Sequence, residues 1–281
     1  SSADLSPTGS QMPRLVGLAQ ASKVYKNITI SNSEKFSNNG NEIAWGTIGD
    51  ASTSEGLFFE SINAAGVMQI PMVISIWDDN YGISVSSDFQ TTKGDISEAL
   101  KGFKKDKNSN GFEILKVKGW DYVELMKTYE KAERICRNKH IPVIIHVREL
   151  TQPLGHSTSG SHERYKSKER LDWEKDFDCL KKMREWILQN KLVSKDELDK
   201  IEKESKEEVR LAKRSAKSNS LEKNISNIKD LNNFLNENFS MDNPIINGLL
   251  NQINGLLLIG GTIEGYVVEK NHYKFLSALK Y

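Results

Sequence analysis

The stretch "GTIGDASTSEGLFFES", residues 46–61, closes a mostly apolar run at Gly49-Asp50 and opens a helical pattern a few residues later. An acid at the mouth of a strand, followed by small residues, can serve as a turn residue or a helix cap. It can also hold a metal ion that in turn holds a phosphate. A diphosphate at a sheet rim calls for a divalent cation, and magnesium asks for octahedral oxygen, of which the protein supplies about two or three atoms. Asp79 stands at the end of the next apolar run, so its carboxylate can converge with that of Asp50. A main-chain carbonyl near Tyr81 would give a third oxygen. His156 sits in a polar loop, "GHSTSGS", where a lone histidine is ordinarily solvated.

The elements that must position these groups follow from periodicity. Residues 11–25 read as a helix with Ser10 as N-cap and Val16, Leu18, Ala19 and Ala21 as apolar positions. Residues 43–48 read as a strand, and residues 55–67 as a helix with Leu57, Phe58, Ile62 and Ala65 inward. "MVISIW" (72–77) is the nearly continuous apolar run of a strand buried on both faces of a parallel sheet. Further strands fall at 112–117 and at "PVIIHV" (142–147), with a helix at 122–137 between them. One helix and one strand separate Asp50 from Asp79, as a βαβ crossover requires. This alternation predicts a doubly wound α/β fold with a mostly parallel sheet. Ligands then bind outside the carboxyl ends of the strands, which gathers Gly49-Asp50, Asp78-Asp79-Asn80 and the loop near His156 on one rim.

After about Lys166 the chain becomes highly charged, with helical patterns at 171–189 and 195–215. Residues 219–254 are rich in Asn and read as a linker. The end, "GLLLIGGTIEGYVVEKNHYKF", reads as a hairpin or the start of another α/β unit. The expected division is 1–166 for the α/β domain, 167–217 for a charged helical extension, and 218–281 for linker and unassigned segment. Basic residues number 39 and acidic ones 38 in 281, so no global field argues for nucleic acid or a membrane surface. No apolar run reaches membrane-helix length. Cys136 and Cys179 lack metal-type spacing and suit a reducing compartment, cytoplasmic in a bacterium or the mitochondrial matrix in a eukaryote. His140 and His146 read as structural, and His162 and His272 carry no argument. The chain starts at Ser1 without an initiator Met, which suits a fragment or a processed chain.

Gly49-Asp50-Ala51 followed by Asp78-Asp79-Asn80-Tyr81-Gly82-Ile83-Ser84 resembles the thiamine diphosphate motif of the 2-oxoacid dehydrogenases, which begins Gly-Asp-Gly and closes on a pair of Asn residues. Thr53-Ser54-Glu55-Gly56 is similar to a signature of the alpha chain of the branched-chain members. "SPTGSQMPRLVGLAQASK" (6–23) resembles the family segment at the cofactor and a monovalent cation, and "PLGHSTSGSHERYKS" (153–167) its active-site loop. The resemblance covers roughly residues 1–217. It implies that Asp50 and Asp79 ligate Mg2+ through side chains and Tyr81 through its carbonyl. It also implies that Ser6, Thr8, Gly49, Asp50 and Ala51 contact thiamine diphosphate, with Ser10 and Gln11 in a monovalent-cation (K+) site. His156 would act on the tetrahedral intermediate and on transfer to the lipoyl group, and Ser157 aligns with a serine phosphorylated in animal relatives. A beta chain, separate or fused, would supply the glutamate that activates the cofactor, and a lipoyl-bearing acyltransferase core would receive the acyl group.

Three positions depart from the pattern. Ala51 replaces the second glycine, which narrows the backbone range. Asp78-Asp79 replace the Asn pair and add a negative charge that the metal or a basic group must offset. Trp77 stands where animal branched-chain enzymes have arginine. Similar Asp-Asp forms occur in bacterial chains that fuse the alpha and beta halves, so the changes read as lineage-specific. The expected activity is oxidative decarboxylation of branched-chain 2-oxoacids. The alternatives are a pyruvate or acetoin dehydrogenase component, or a non-catalytic truncated α/β assembly domain. A nicotinamide-binding domain is disfavoured because no Gly-x-Gly-x-x-Gly follows a strand.

Overall fold

The structure, a computed structural model, describes residues 7–156 and 162–238 together with positions 244, 247, 248 and 251. Ser6, Ser157, Ser159, His272 and the C-terminal hairpin or α/β segment expected from the sequence lie outside the described residues. Two compact units divide the chain, Ser1–Leu192 and Val193–Tyr281.

In the first unit the order is α1 (Gln11–Asn27), β1 (Ala44–Gly49), α2 (Gly56–Met68) and β2 (Met72–Trp77). A small antiparallel pair follows, β3 (Tyr81–Gly82) and β4 (Val85–Ser86), then α3 (Ile96–Ala99), β5 (Glu113–Lys118), α4 (Tyr122–Lys139) and β6 (Val143–Arg148). The helices α5 (Lys168–Asp176) and α6 (Cys179–Gln189) close the unit. The four long strands form one sheet in the order β1-β2-β6-β5, every pair parallel. The α/β fold expected from the sequence is therefore the fold found.

Alternation along the strands divides the core between two faces. Ile74, Ile76 and Ile144 pack with Phe58, Ile62 and Ala65 of α2 and Met12, Leu15 and Ala19 of α1. Val73, Val143, Ile145 and Val147 pack with Ala132 and Cys136 of α4. The β1-α2-β2 crossover thus covers one face and the β5-α4-β6 crossover the other. The sheet is wound in both directions, and the winding reverses between β2 and β6. That reversal opens a crevice at the carboxyl ends of these two strands.

Local chemistry sets the helix boundaries. Asp121 caps α4 by accepting from the Glu124 N–H at 3.1 Å, and His140 ends it in the left-handed region at φ 50°. Gly46 admits α1 onto the sheet, since a Cβ there would meet Leu15 Cδ2 at 2.6 Å.

Several expectations need correction. Ser10 precedes α1 but makes no capping bond, and the buried stripe is Met12, Leu15, Ala19 and Ser22, while Leu18 is exposed. Ser22 is tolerated inside because its hydroxyl donates to the carbonyls of Gly40 and Glu42. Leu57 lies outside the core that Phe58, Ile62 and Ala65 enter. The single helix expected over 171–189 is two, because Asp178 accepts from the Lys181 N–H and starts α6 afresh. In the second unit one helix, α7, spans Lys195–Asn238, well past the expected end at Ser215. No helix among the described residues is long and apolar enough to cross a membrane.

The two thiols sit in different surroundings. Burial pushes the Cys136 thiol up to about 12, whereas Cys179 is half-buried with its Sγ 3.9 Å from Thr151 Oγ1. Only the thiolate is nucleophilic, so Ellman's reagent at pH 8 should modify one thiol in the native chain and both in denaturant. Native modification of Cys136 would contradict this burial.

Candidate functional site

The hydrogen-bond ladder continues past the strand ends and fixes the rim. The Asp50 N–H donates to the Trp77 carbonyl at 3.0 Å, the Asp78 N–H to that of Val147 at 2.9 Å, and the Leu150 N–H to that of Asp78 at 3.0 Å. The segments after β1, β2 and β6 are thereby tied together at the crevice. A cavity of about 620 Å³ opens there, within the range of small-molecule sites. Thr8, Gly49, Asp50, Ala51, Ser52, Trp77, Asp79, Tyr81, Gly82, Ile83, Leu150, Thr151, Gln152 and His156 line it.

Of the residues singled out from the sequence, Thr8, Gly49, Asp50, Ala51, Asp79, Tyr81 and His156 come together on this cavity. Gln11 lines an adjoining hollow of about 370 Å³ with Pro7, Thr8 and Thr47, and its amide donates to the Thr47 carbonyl at 3.3 Å. Ser10 lines neither, and its hydroxyl is buried without a partner.

Three carboxylates crowd the rim. Asp50 and Asp78 are buried, and Asp79 is half-buried. Burial, reinforced by the charges of Asp78 and Asp79, pushes Asp50 up to about 7, against a lowering hydrogen bond from the Ala51 amide. Burial also raises Asp79, opposed by the Tyr81 N–H and by the positive charges of Lys166 and Arg170. Asp78 is fully engaged below the cavity. One oxygen accepts from the Asn80 N–H at 2.7 Å, and the other lies 2.7 Å from His146 Nε2. His146 is itself wholly buried and meets the Ser97 hydroxyl through Nδ1.

The turn between Asp78 and β4 is tightly held. Asn80 and Ile83 both have positive φ, 67° and 59°, and for a β-branched residue this is strained. Gly82 has no room for a side chain, since a Cβ would meet Ala51 Cβ at 2.6 Å. The turn after Asp79 thus packs directly on the turn after Asp50, which brings the two acids to one cavity.

Sequence reasoning missed the layer behind these residues. The sequence marks His146 only as structural, Lys166 only as the end of a loop-like stretch, and Arg170 and Glu174 only as members of a charged segment. His146 and Arg170 reach partners 68 to 91 residues away in sequence, and the Arg170–Glu174 spacing of four looks like that of any solvated helix pair, so spacing gives no sign of the cluster.

The donor set suits a hard divalent cation. It consists of carboxylates in a partly desolvated crevice whose mutual repulsion leaves Asp50 short of positive charge. Among the described residues no three His, Cys, Asp or Glu side chains converge as a self-sufficient metal cage. A cation bridging protein to a diphosphate needs no such cage, because phosphate and water complete its shell.

A doubly wound domain with acids at its switch point is a ligand-binding α/β domain with hard-oxygen donors. The chain belongs to the family described as Dehydrogenase E1 component, whose model it matches over residues 4–224. It is similar to the pyruvate dehydrogenase E1 component subunit alpha of Rickettsia typhi, 28% identical over 204 residues, which is 73% of this chain and 56% of that protein. It is also similar to the 2-oxoisovalerate dehydrogenase subunit alpha 2, mitochondrial, of Arabidopsis thaliana, 30% identical over 189 residues, 65% of this chain and 38% of that protein. A third relative, the mitochondrial pyruvate dehydrogenase E1 component subunit alpha of Dictyostelium discoideum, is 25% identical over 211 residues, 74% of this chain and 49% of that protein. The chain therefore spans about half the length of these relatives, or less.

Proposed function

We propose that this chain is the cofactor-binding alpha part of a thiamine diphosphate-dependent 2-oxoacid dehydrogenase, the decarboxylating component that passes an acyl group to lipoyl. The reading rests on the convergence of Asp50, Asp79, Tyr81 and His156 on one cavity at the switch point. Asp50 and Asp79 would hold Mg2+ with the Tyr81 carbonyl, and Thr8, Gly49 and Ala51 would meet the diphosphate. Thiamine diphosphate, when bound, supplies nucleophilic attack on the keto carbon and storage of the electron pair left as carbon dioxide departs. His156 on the cavity wall is suited to holding and moving a proton at the reacting oxygen. Ile83 and Trp77, on the cavity and 60% and 53% exposed, suit the face of a beta partner that completes the site. A lipoyl-bearing acyltransferase core would be the next partner, in a bacterial cytoplasm or a mitochondrial matrix.

Branched-chain 2-oxoacids are the substrates we favour, on Thr53-Ser54-Glu55-Gly56 and the plant relative named for 2-oxoisovalerate. Pyruvate is the second reading, favoured by the Rickettsia and Dictyostelium relatives named for it. The chain reconstituted with its beta partner should bind thiamine diphosphate with Mg2+-dependent heat and decarboxylate 3-methyl-2-oxobutanoate faster than pyruvate. The reverse preference would establish the pyruvate reading. Absence of Mg2+-dependent heat with the partner present would leave a non-catalytic assembly domain.

A further inference from the structure

Behind the Asp79–Tyr81 turn lies a charged cluster with no part in the chemistry above. Glu174 and Lys166 are almost wholly buried, joined Oε1 to Nζ at 2.7 Å. Arg170 donates through Nε to the same Glu174 oxygen at 2.8 Å. Its other nitrogens reach forward, Nη2 to the Asp79 carbonyl at 2.8 Å and Nη1 to Asn80 Oδ1 at 3.3 Å. The same Nη2 lies 3.5 Å from the Leu150 carbonyl, so one guanidinium spans the loops after β2 and β6. Lys166 Nζ also stands 4.9 Å from the centre of the Tyr81 ring, with the Arg170 guanidinium carbon at 5.6 Å.

We propose that Arg170, set by Glu174 and assisted by Lys166, is a positioning residue that holds the Asp79–Tyr81 turn in its metal-binding form and supplies the positive charge that a second acid at this turn demands. The inference rests on the metal site of the proposed function and deepens it. Three observations carry it. The arrangement is directional, because the planar fork of arginine satisfies a carboxylate behind and main-chain carbonyls in front at once, which lysine cannot do. It is charge-asymmetric, since two cations face a single Glu174 carboxylate and one positive charge is left over toward Asp79. It also holds the turn at left-handed Asn80, three residues ahead of the strained Ile83, through the Asn80 side-chain oxygen and the Asp79 carbonyl.

Groups behind metal ligands commonly contribute about 10–100-fold to metal affinity. Arg170→Gln in the chain assembled with its beta partner should therefore raise the Mg2+ concentration for half-maximal thiamine diphosphate binding about 10–100-fold, read by calorimetry at fixed cofactor. Binding should recover at saturating Mg2+, because the defect lies in holding the metal turn. Arg170→Lys should fall between the two, restoring charge without the fork. Thermal denaturation of each variant gives the separate measure of folding. A variant less stable than wild type, yet with wild-type Mg2+ dependence below its melting temperature, would reduce the cluster to a structural brace and overturn the inference. Wild type that binds with Mg2+ dependence alongside an unchanged Arg170→Gln variant would overturn the inference alone. Wild type with no Mg2+ dependence would overturn the metal reading and the inference together.

Discussion

His146→Leu is expected to destabilise the chain by about 1–3 kcal/mol, the usual result of leaving a buried polar group without its hydrogen-bond partner. Leucine fills a similar volume, so no large cavity confuses the reading. What disappears is the 2.7 Å link from His146 Nε2 to Asp78 and the bond between Nδ1 and the Ser97 hydroxyl. Asp78 is then left buried with the Asn80 N–H and its contact with the neighbouring acid Asp50. A buried carboxylate stripped of its partner keeps its full desolvation penalty. Urea denaturation of the wild type and variant gives the difference. The companion substitution Asp78→Asn identifies its source, because an uncharged residue has little left to lose. In the His146→Leu background it should recover at least about 1 kcal/mol, a coupling typical of residues in direct contact. Losses that simply add would mean that His146 acts through packing and not through Asp78.

The same residue shows where a sequence stops being legible. Asp50 and Asp79 could be found because each ends an apolar run and one crossover separates them. Strand direction then does the rest, since parallel neighbours put both carboxyl ends on one rim. "MVISIW" and "PVIIHV" read as central strands because a strand covered on both faces has no polar alternation to obscure it. His146 lies inside one of those runs with no local cue, and its partner Asp78 comes from another strand end. Helix α1 misled on which face is buried because polar Ser22 is inside, satisfied by the loop carbonyls of Gly40 and Glu42, while Leu18 is outside. The break between α5 and α6 was hidden because a capping aspartate in a charged stretch looks like any other acid. Arg170 and Glu174 were hidden for a related reason. Their i,i+4 spacing is that of a solvated pair, and only tertiary packing makes it a buried one.

Asp50→Asn should stabilise the ligand-free chain at pH 8 and, if the proposed function holds, abolish metal-dependent cofactor binding. Burial, then the charges of Asp78 and Asp79, lift the Asp50 carboxyl from 3.8 to about 7. An acid with a raised folded-state value binds its proton more tightly when folded. Its relative stability is complete at low pH and is lost as pH rises through about 7. Asp79 is shifted in the same direction, chiefly by burial, so the two acids add. At pH 8 the wild type therefore carries a repulsive ionised cluster that a neutral amide of the same shape relieves. A gain of about 1 kcal/mol, or about 2–4 °C in melting temperature for a domain of this size, is the expected scale. It is less than the full shift suggests, because the Ala51 amide already supports the ionised form and solvent reaches the cavity. At pH 5 the advantage should be smaller, since the folded wild-type carboxyl is then protonated, and it should vanish only below about 3.8, where the unfolded chain is protonated too. Mg2+ together with thiamine diphosphate should reverse the order at pH 8 by stabilising the wild type and leaving the variant unmoved. Thiamine diphosphate affinity in Mg2+ should fall in the variant by more than about 100-fold, beyond what groups behind the ligands contribute. A variant less stable than wild type at pH 8 would mean that Asp50 is needed ionised for folding. Retained Mg2+-dependent heat would remove Asp50 from the metal set. The expected pairing of higher stability with lost binding is the behaviour of a carboxylate kept in an unfavourable place for the ion that the proposed function gives it to hold.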